Sequence, residues 1–271
     1  MNRDQILAAP SMPPTCPSYP RGPFRFVNRE YLIITYETDL EAVTTALPEP
    51  LEPLPGQAPG TAVVSYDWMK MPDSSGFGDY QESGICIVAT LDGELVNYTA
   101  QMYLDDEPPI AGGREIWGFP KKYGEPRLKV VKDTLTGTLH YADQRVAMGT
   151  MTYKTRPLDR QQVQAGLSCK LNVNLKLIPD ADGGPKIAQL VGYRLEDVVV
   201  HGAWEGDARL HLVPHVNCAV ADFPVRRIIS ARHQFVDFTL PYGRVLHDYL
   251  ARTGSRLHDN NAPPRRESLC P

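Results

Sequence analysis

The apolar positions of this chain fall mainly in short runs of aromatic and β-branched residues, separated by polar and glycine-containing turns. Such runs suit strands, because branched and aromatic side chains pack well on a pleated surface. The first covers 24–36, where FRF and YLIITY both read as strand, and TAVVSYDWMKM (61–71) is the next. A glycine and serine loop follows at 72–79. Residues 84–91 and 95–104 read as a strand pair turning at Asp92-Gly93, a dipeptide suited to the left-handed backbone of a tight hairpin. PRLKVVKD, TLTGTLHY and RVAMGTMTYKT continue the series. NVNLKLIP, KIAQLVGYRLEDVVVHGAWEGDARLHL and a run near 225–240 complete it.

Helical spacing is rarer. Leu40, Val43 and Leu47 recur at helical intervals behind a Thr38-x-x-Glu41 capping box, and Pro48 stops that helix. Asp105 and Asp106 supply an N-cap for EPPIAGGRE, with proline tolerated in the first turn. LDRQQVQA (158–165) is weakly helical, and Pro241 opens a last helix over YGRVLHDYLAR. Many strands and few helices, with no internal repeat, predict a mainly β (α+β) fold. The expected form is a closed antiparallel, barrel-like single domain with a few short helices, rather than alternating βαβ units. Proline-rich residues 1–23 are expected to form an extended arm on the body or on a neighbouring subunit, with the domain over 24–252 and a disordered polar tail over 253–271.

Composition narrows the class. The 271 residues are 42% hydrophobic and 22% charged, which describes a soluble globular chain long enough to bury an ionisable side chain. A net charge of −4 and the absence of a basic stripe exclude a nucleic-acid partner. No stretch approaches the roughly 20 apolar residues of a membrane helix, and no apolar run follows the N-terminal arginine as in a signal peptide. The five cysteines are scattered, which predicts reduced thiols in the cytoplasm rather than a disulfide framework or zinc site. The seven histidines have no metal-ligand spacing, since Pro214 separates His211 from His215. No phosphate loop or dinucleotide fingerprint is present, so neither metal nor nucleotide cofactor is expected.

The candidate chemistry lies in REIWGFPKKYG (114–124). A Lys-Lys pair is ordinarily a solvated turn, and Pro120 and Gly124 suit one. The aromatic and apolar residues before it, however, do not favour water. A lysine held in that setting becomes an amine nucleophile, and the iminium it forms with a ketone is an electron sink for breaking a neighbouring carbon–carbon bond. An ordinary lysine, with a pKa of about 10.4, is neutral roughly once in 2,500 at pH 7, so a downward shift of about 3–5 units is required. In extended backbone, Lys121 and Lys122 point to opposite faces. Their repulsion is then modest, about 1 kcal/mol at 4 Å in water and less beyond. Desolvation is therefore expected to dominate, with Lys122 a secondary pKa-modulating charge.

Four segments, PRGPFRFVNREY (20–31), MPDSSGFGDYQESG (71–84), MYLDDEPPIAGGRE (102–115) and GFPKKYG (118–124), resemble the acetoacetate decarboxylase family in order and spacing. The resemblance runs from about residue 10 to about residue 250. It implies that Lys121 is the Schiff-base lysine and that Arg29, in NREY, orients the substrate or the pocket carboxylates. An amine activated in this way is a recognised property of that family. Glu82, in DYQESG, takes an acidic family position. Asp67, in YDWMKM, falls where the family usually has glutamate and is one methylene shorter. Phe26, Met102 and Phe119 are expected to wall the pocket. The implied protein is a cofactor-independent lyase for a small β-keto acid, in a large symmetric homo-oligomer. Two alternatives stay open: aldolase-dehydratase or cyclase chemistry of the same lysine on another keto acid, and a non-catalytic ligand-binding barrel.

Overall fold

A computed structural model describes residues 1–251, so the tail assigned to 253–271 and the domain limit at 252 lie outside the described residues. The N-terminal arm is not extended throughout: it opens with α1 (Arg3–Ala8), closed at its start by a capping box between Asn2 and Gln5. The chain continues through β1 (Phe24–Asp39), α2 (Leu40–Ala46), β2 (Glu52–Pro53), β3 (Thr61–Ser74), β4 (Gly78–Leu91) and β5 (Glu94–Leu104). Next come α3 (Glu107–Gly112), a π-helical turn (Gly113–Trp117), β6 (Lys121–Tyr123), β7 (Glu125–Val131), β8 (Thr134–Tyr141), β9 (Gln144–Thr152) and β10 (Arg156–Pro157). The remainder is α4 (Arg160–Cys169), β11 (Leu171–Pro179), β12 (Pro185–Tyr193), β13 (Glu196–Glu205), β14 (Ala208–Leu212), β15 (Arg227–Leu240) and β16 (Arg244–Asp248).

The fold is mainly β, as expected. Twelve strands form one sheet, ordered β10-β13-β15-β1-β3-β4-β5-β11-β12-β16 with β2 on β4 and β6 on β5, and β14-β9-β8-β7 form a second. The larger order begins and ends on different strands, so the hydrogen bonding leaves an open sheet rather than the closed barrel expected. Nor is the pairing wholly antiparallel, because β5 runs parallel to both β6 and β11.

Period-two side-chain alternation gives the long central strands two different faces. Leu32 and Ile34 of β1, Tyr66 and Trp68 of β3, and Ile85 and Ile87 of β4 are buried in one cluster with the small sheet. The indole of Trp68 lies flat against paired glycines. A Cβ on Gly137 would come within 2.3 Å of that ring and one on Gly149 within 2.4 Å. The indole Nε1 donates to the Thr138 carbonyl at 3.1 Å, so its one polar group is satisfied. The opposite face carries a second cluster that includes Phe26, Met69, Met102, Phe119 and Phe238.

Local signals have mixed outcomes. Asp92 and Gly93 turn the β4–β5 hairpin with φ of 51° and 81°. Asp106 caps α3 by accepting from the Glu107 amide at 3.0 Å. The glycine and serine loop is shorter than expected, since β3 continues to Ser74 and β4 begins at Gly78. The Thr38–Glu41 capping box does not form: Thr38 lies fully buried within β1, and the cap position falls on Asp39, whose carboxylate is bound by Arg226 at 2.7 Å. The helix expected after Pro241 is β16, recruited by the free edge of β12. Cys16, Cys86, Cys169 and Cys218 are unbridged. No helix among the described residues is long and apolar enough to cross a membrane.

Candidate active site

Lys121 reaches the interior through the turn that precedes it. The π-helical turn ends on Gly118, left-handed at φ 75°, and the chain then enters β6 beside Met102 of β5. π-Helical turns are rare, and functional sites often carry them. Here the loose carbonyls are taken up from β11. Asn174 Nδ2 donates to the Trp117 carbonyl at 3.3 Å, and Lys176 Nζ to that of Ile116 at 3.1 Å. Arg114 donates to the Lys121 carbonyl at 3.1 Å. Gly113 is needed for clearance, because a Cβ there would lie 2.6 Å from Lys121 Cδ. The N-terminal arm braces the same turn through Tyr19, whose hydroxyl donates to Glu115.

Because β6 is extended, the two lysines diverge. Lys121 is 7% exposed and its Nζ donates to Glu82 Oε1 at 2.7 Å. Lys122 points to the other side, donates to the Asn217 carbonyl at 2.6 Å and is open to solvent. The structure therefore does not bring Lys122 to the site, contrary to the modulating role expected for it. Burial is the largest influence lowering the Lys121 pKa, and Glu82 opposes it. The second group pushing it down is Arg29.

Arg29 enters the pocket through a bulge. Phe26 and Arg29 are three residues apart, so plain alternation would send them to opposite faces. The register of β1 against β15 shifts between them, with Asn28 at φ 52° and its amide held by Asp237 at 2.7 Å. An extra residue in the strand re-aims the side chains beyond it. The Arg29 guanidinium then lies 4.8 Å from the Tyr31 ring, 5.1 Å from Phe238 and 5.4 Å from Phe26, with NH2 3.3 Å from Glu82 Oε2. Lys121, Glu82 and Arg29 form a continuous amine–carboxylate–guanidinium chain.

These groups line a cavity of about 120 Å³, to which Phe26, Met102 and Phe119 all contribute. That is small against the roughly 300–1,000 Å³ of sites for drug-sized ligands. Asp67 lines it too, but makes no ion pair with Arg29, so the shorter side chain does not join the chain of charges. Burial pushes the Asp67 carboxyl up to about 6, against the pull of Lys170. Burial also raises the Cys86 thiol to about 12, which keeps it protonated and a poor competitor as nucleophile.

Sequence reasoning missed Tyr31, Tyr80, Tyr193, Lys170 and Gln234, all in the lining. Tyr31 and Tyr80 stand two residues from Arg29 and Glu82, so strand periodicity could have found them. Tyr193, Lys170 and Gln234 come from distant strands or loop ends, and no local signal marks them. Burial raises the Tyr31 phenol to about 12 and those of Tyr80 and Tyr193 well above the usual range, leaving three hydrogen-bond donors on the wall.

A desolvated amine bound to a carboxylate inside a small aromatic pocket is the arrangement of proteins that use lysine as a nucleophile. Residues 8–250 match the family model of acetoacetate decarboxylase. The acetoacetate decarboxylase of Chromobacterium violaceum is 51% identical over 240 residues, covering 89% of this chain and 95% of its own. That of Bordetella avium is 51% identical over 253 residues, covering 93% of this chain and 100% of its own. The crystal structure of acetoacetate decarboxylase from Legionella pneumophila superposes with a TM-score of 0.84 at 44% identity, over 91% of this chain and 96% of that one. The chain belongs to the acetoacetate decarboxylase family.

Proposed function

We propose that this protein converts acetoacetate to acetone and CO2 through an iminium on Lys121. The observation that carries the reading is the placement of the Lys121 amine, 7% exposed, in the cavity at 2.7 Å from Glu82. Neutral Nζ adds to the ketone carbon, and the carbinolamine loses water to give the iminium. As CO2 departs, the electron pair of the breaking carbon–carbon bond passes to the nitrogen and leaves an enamine. Protonation on carbon and hydrolysis then free acetone and the amine. The protein supplies its own electron sink, so the route calls for no external cofactor.

Glu82 is within reach to accept the amine's proton and return it to the departing hydroxyl. Arg29, fixed by three rings, holds Glu82 in orientation and gives an anionic substrate local positive charge in a protein of net charge −4. Clamping the departing carboxylate would stabilise the ground state, so its role lies in orientation rather than tight binding. Resemblance supports a large symmetric homo-oligomer, and the unbridged cysteines are consistent with the cytoplasm. Neither nucleic acid nor membrane enters this reading. Light scattering that returned the 30.2 kDa of a single chain would overturn the oligomer.

Borohydride trapping with acetoacetate, followed by peptide mass spectrometry, tests the chemistry. A reduced adduct on Lys121, with acetone and CO2 in the untrapped reaction, is expected. An adduct without CO2 release would move the assignment to aldolase or dehydratase chemistry, and no adduct at all to a binding barrel.

A further inference from the structure

Of the residues that line the cavity, Lys170 alone is exposed, and the others are buried or half-buried. The cavity therefore meets solvent at the C-terminal end of α4, where Lys170 is the cap residue. The backbone there is fixed. Arg194 Nε donates to the Cys169 carbonyl at 3.1 Å and Asn172 Nδ2 to that of Lys170 at 3.4 Å, while Gln164 Oε1 accepts from the Val200 amide of β13 at 3.1 Å. The Lys170 ammonium, by contrast, joins no ion pair or hydrogen bond among the described residues. A lysine at a helix C-terminus is an ordinary stabilising residue, so position alone gives it no further role.

The charges behind it do. With Lys121 neutral, as the reaction requires, the remaining charged groups of the lining are Arg29, Glu82, Asp67 and Lys170. Above about pH 6, where Asp67 is ionised, Arg29 alone would leave the cavity with one net negative charge. Lys170 brings the balance to zero. Without it, an acetoacetate anion would meet net repulsion at the opening of a protein whose own charge is −4. The charge at the mouth is also felt inside, since Lys170 pulls against the burial that raises the Asp67 carboxyl and the Cys86 thiol.

We propose that Lys170 selects for anionic substrates: its ammonium at the mouth draws in the carboxylate of a 3-oxo acid and gives no advantage to a neutral ketone. The inference deepens the Schiff-base reading of Lys121 and rests on it. The attraction acts across the opening, so Lys170 has no need to touch the reacting carbon. Acetoacetate is an anion and acetone is not, so the same charge favours entry of substrate without holding product.

The test uses the full-length protein and its Lys170→Met variant, with Lys170→Arg as the conservative control and Tm to establish that each is folded. For acetoacetate, kcat/KM is expected to fall about three- to tenfold in Lys170→Met, through KM rather than kcat, and to stay within about twofold of the parent in Lys170→Arg. Raising the ionic strength from about 0.01 to about 1 M shortens the screening length from about 30 to about 3 Å, so the gap between parent and Lys170→Met should close in high salt. Acetone, titrated against borohydride trapping on Lys121 and read by peptide mass spectrometry, should half-saturate equally in all three proteins. An unchanged kcat/KM in Lys170→Met, a loss that falls in kcat or survives high salt, or an equal loss for acetone overturns the selecting role and leaves that of Lys121 standing. No adduct on Lys121 of the parent with either compound overturns both readings.

Discussion

The two faces of the central strands are made by alternate residues of the same segments, yet they are opposite in kind. On β3, Tyr66 and Trp68 go into a dry core against the small sheet, while Asp67 and Met69 face the cavity. On β4, Ile85 and Ile87 take the first side, while Glu82 and Cys86 take the second. The dry face gains stability by close packing. The cavity face holds an amine, a guanidinium and two carboxylates out of water, each of which is unfavourable to bury. A single pleated sheet thus lets a strongly packed surface stabilise a strained one less than a residue away.

The sharpest break between the faces comes from Lys121→Met. Activity is expected to fall by about 10⁴-fold or more, as when a nucleophile is removed. Thermal stability should hold or rise, because an unfavourably buried amine has gone. A drop in Tm would instead place Lys121 with the packing face.

Next come Glu82→Gln and Arg29→Gln, read by the pH profile of kcat/KM. Activity needs the neutral amine, so the rate climbs as pH rises through the Lys121 pKa. Glu82 raises that pKa and Arg29 lowers it. The acid limb should therefore move to lower pH in Glu82→Gln and to higher pH in Arg29→Gln, with Glu82→Gln also slower by about 10²–10⁴-fold. Movement of both limbs in one direction would remove the electrostatic account.

Trp68→Ala attacks the dry face. It should cost about 3–5 kcal/mol, since the two glycines beneath the ring cannot fill the space. A Tm lower by roughly 6–20 °C is expected, with the acid limb of the folded fraction unmoved.

Asp67→Asn reads the cavity face through stability. Its folded pKa of about 6 lies above the unfolded value of about 3.9, so the native state holds the proton more tightly. The stability this brings is complete below about pH 4 and is lost as pH rises through 6. The variant should match the parent in acid and exceed it at neutral pH, by on the order of 2–3 kcal/mol at most. Smallest of all is Lys122→Met, expected within about twofold of the parent with an unmoved limb, because that side chain is exposed on the far side. A large loss there would restore its modulating role.

Much of this division is legible in the sequence. Strand-forming runs place most of the strands, and the divergence of Lys121 and Lys122 comes from extended backbone alone. Sequence reading fails where the outcome depends on partners far along the chain. Val245, Leu246, Tyr249 and Leu250 have helical spacing, yet the open edge of β12 draws 244–248 into a strand. Thr38 and Glu41 have the spacing of a cap, but the strand claims Thr38 and Arg226 claims Asp39. The bulge at Asn28 inverts the facing of Arg29, and it is set by pairing with β15, some 200 residues away. Gln234 and Lys170 join the cavity only once the sheet is assembled.

The indole seated on Gly137 and Gly149 limits how this sequence can drift. A side chain at either glycine collides with the ring unless Trp68 has already shrunk, and a smaller residue at 68 leaves a void until one of the glycines grows. Every single step from the present combination leads to a weaker protein, although a paired exchange could restore it. The three positions are thus inherited as a unit, and the order of substitution decides which sequences can be reached.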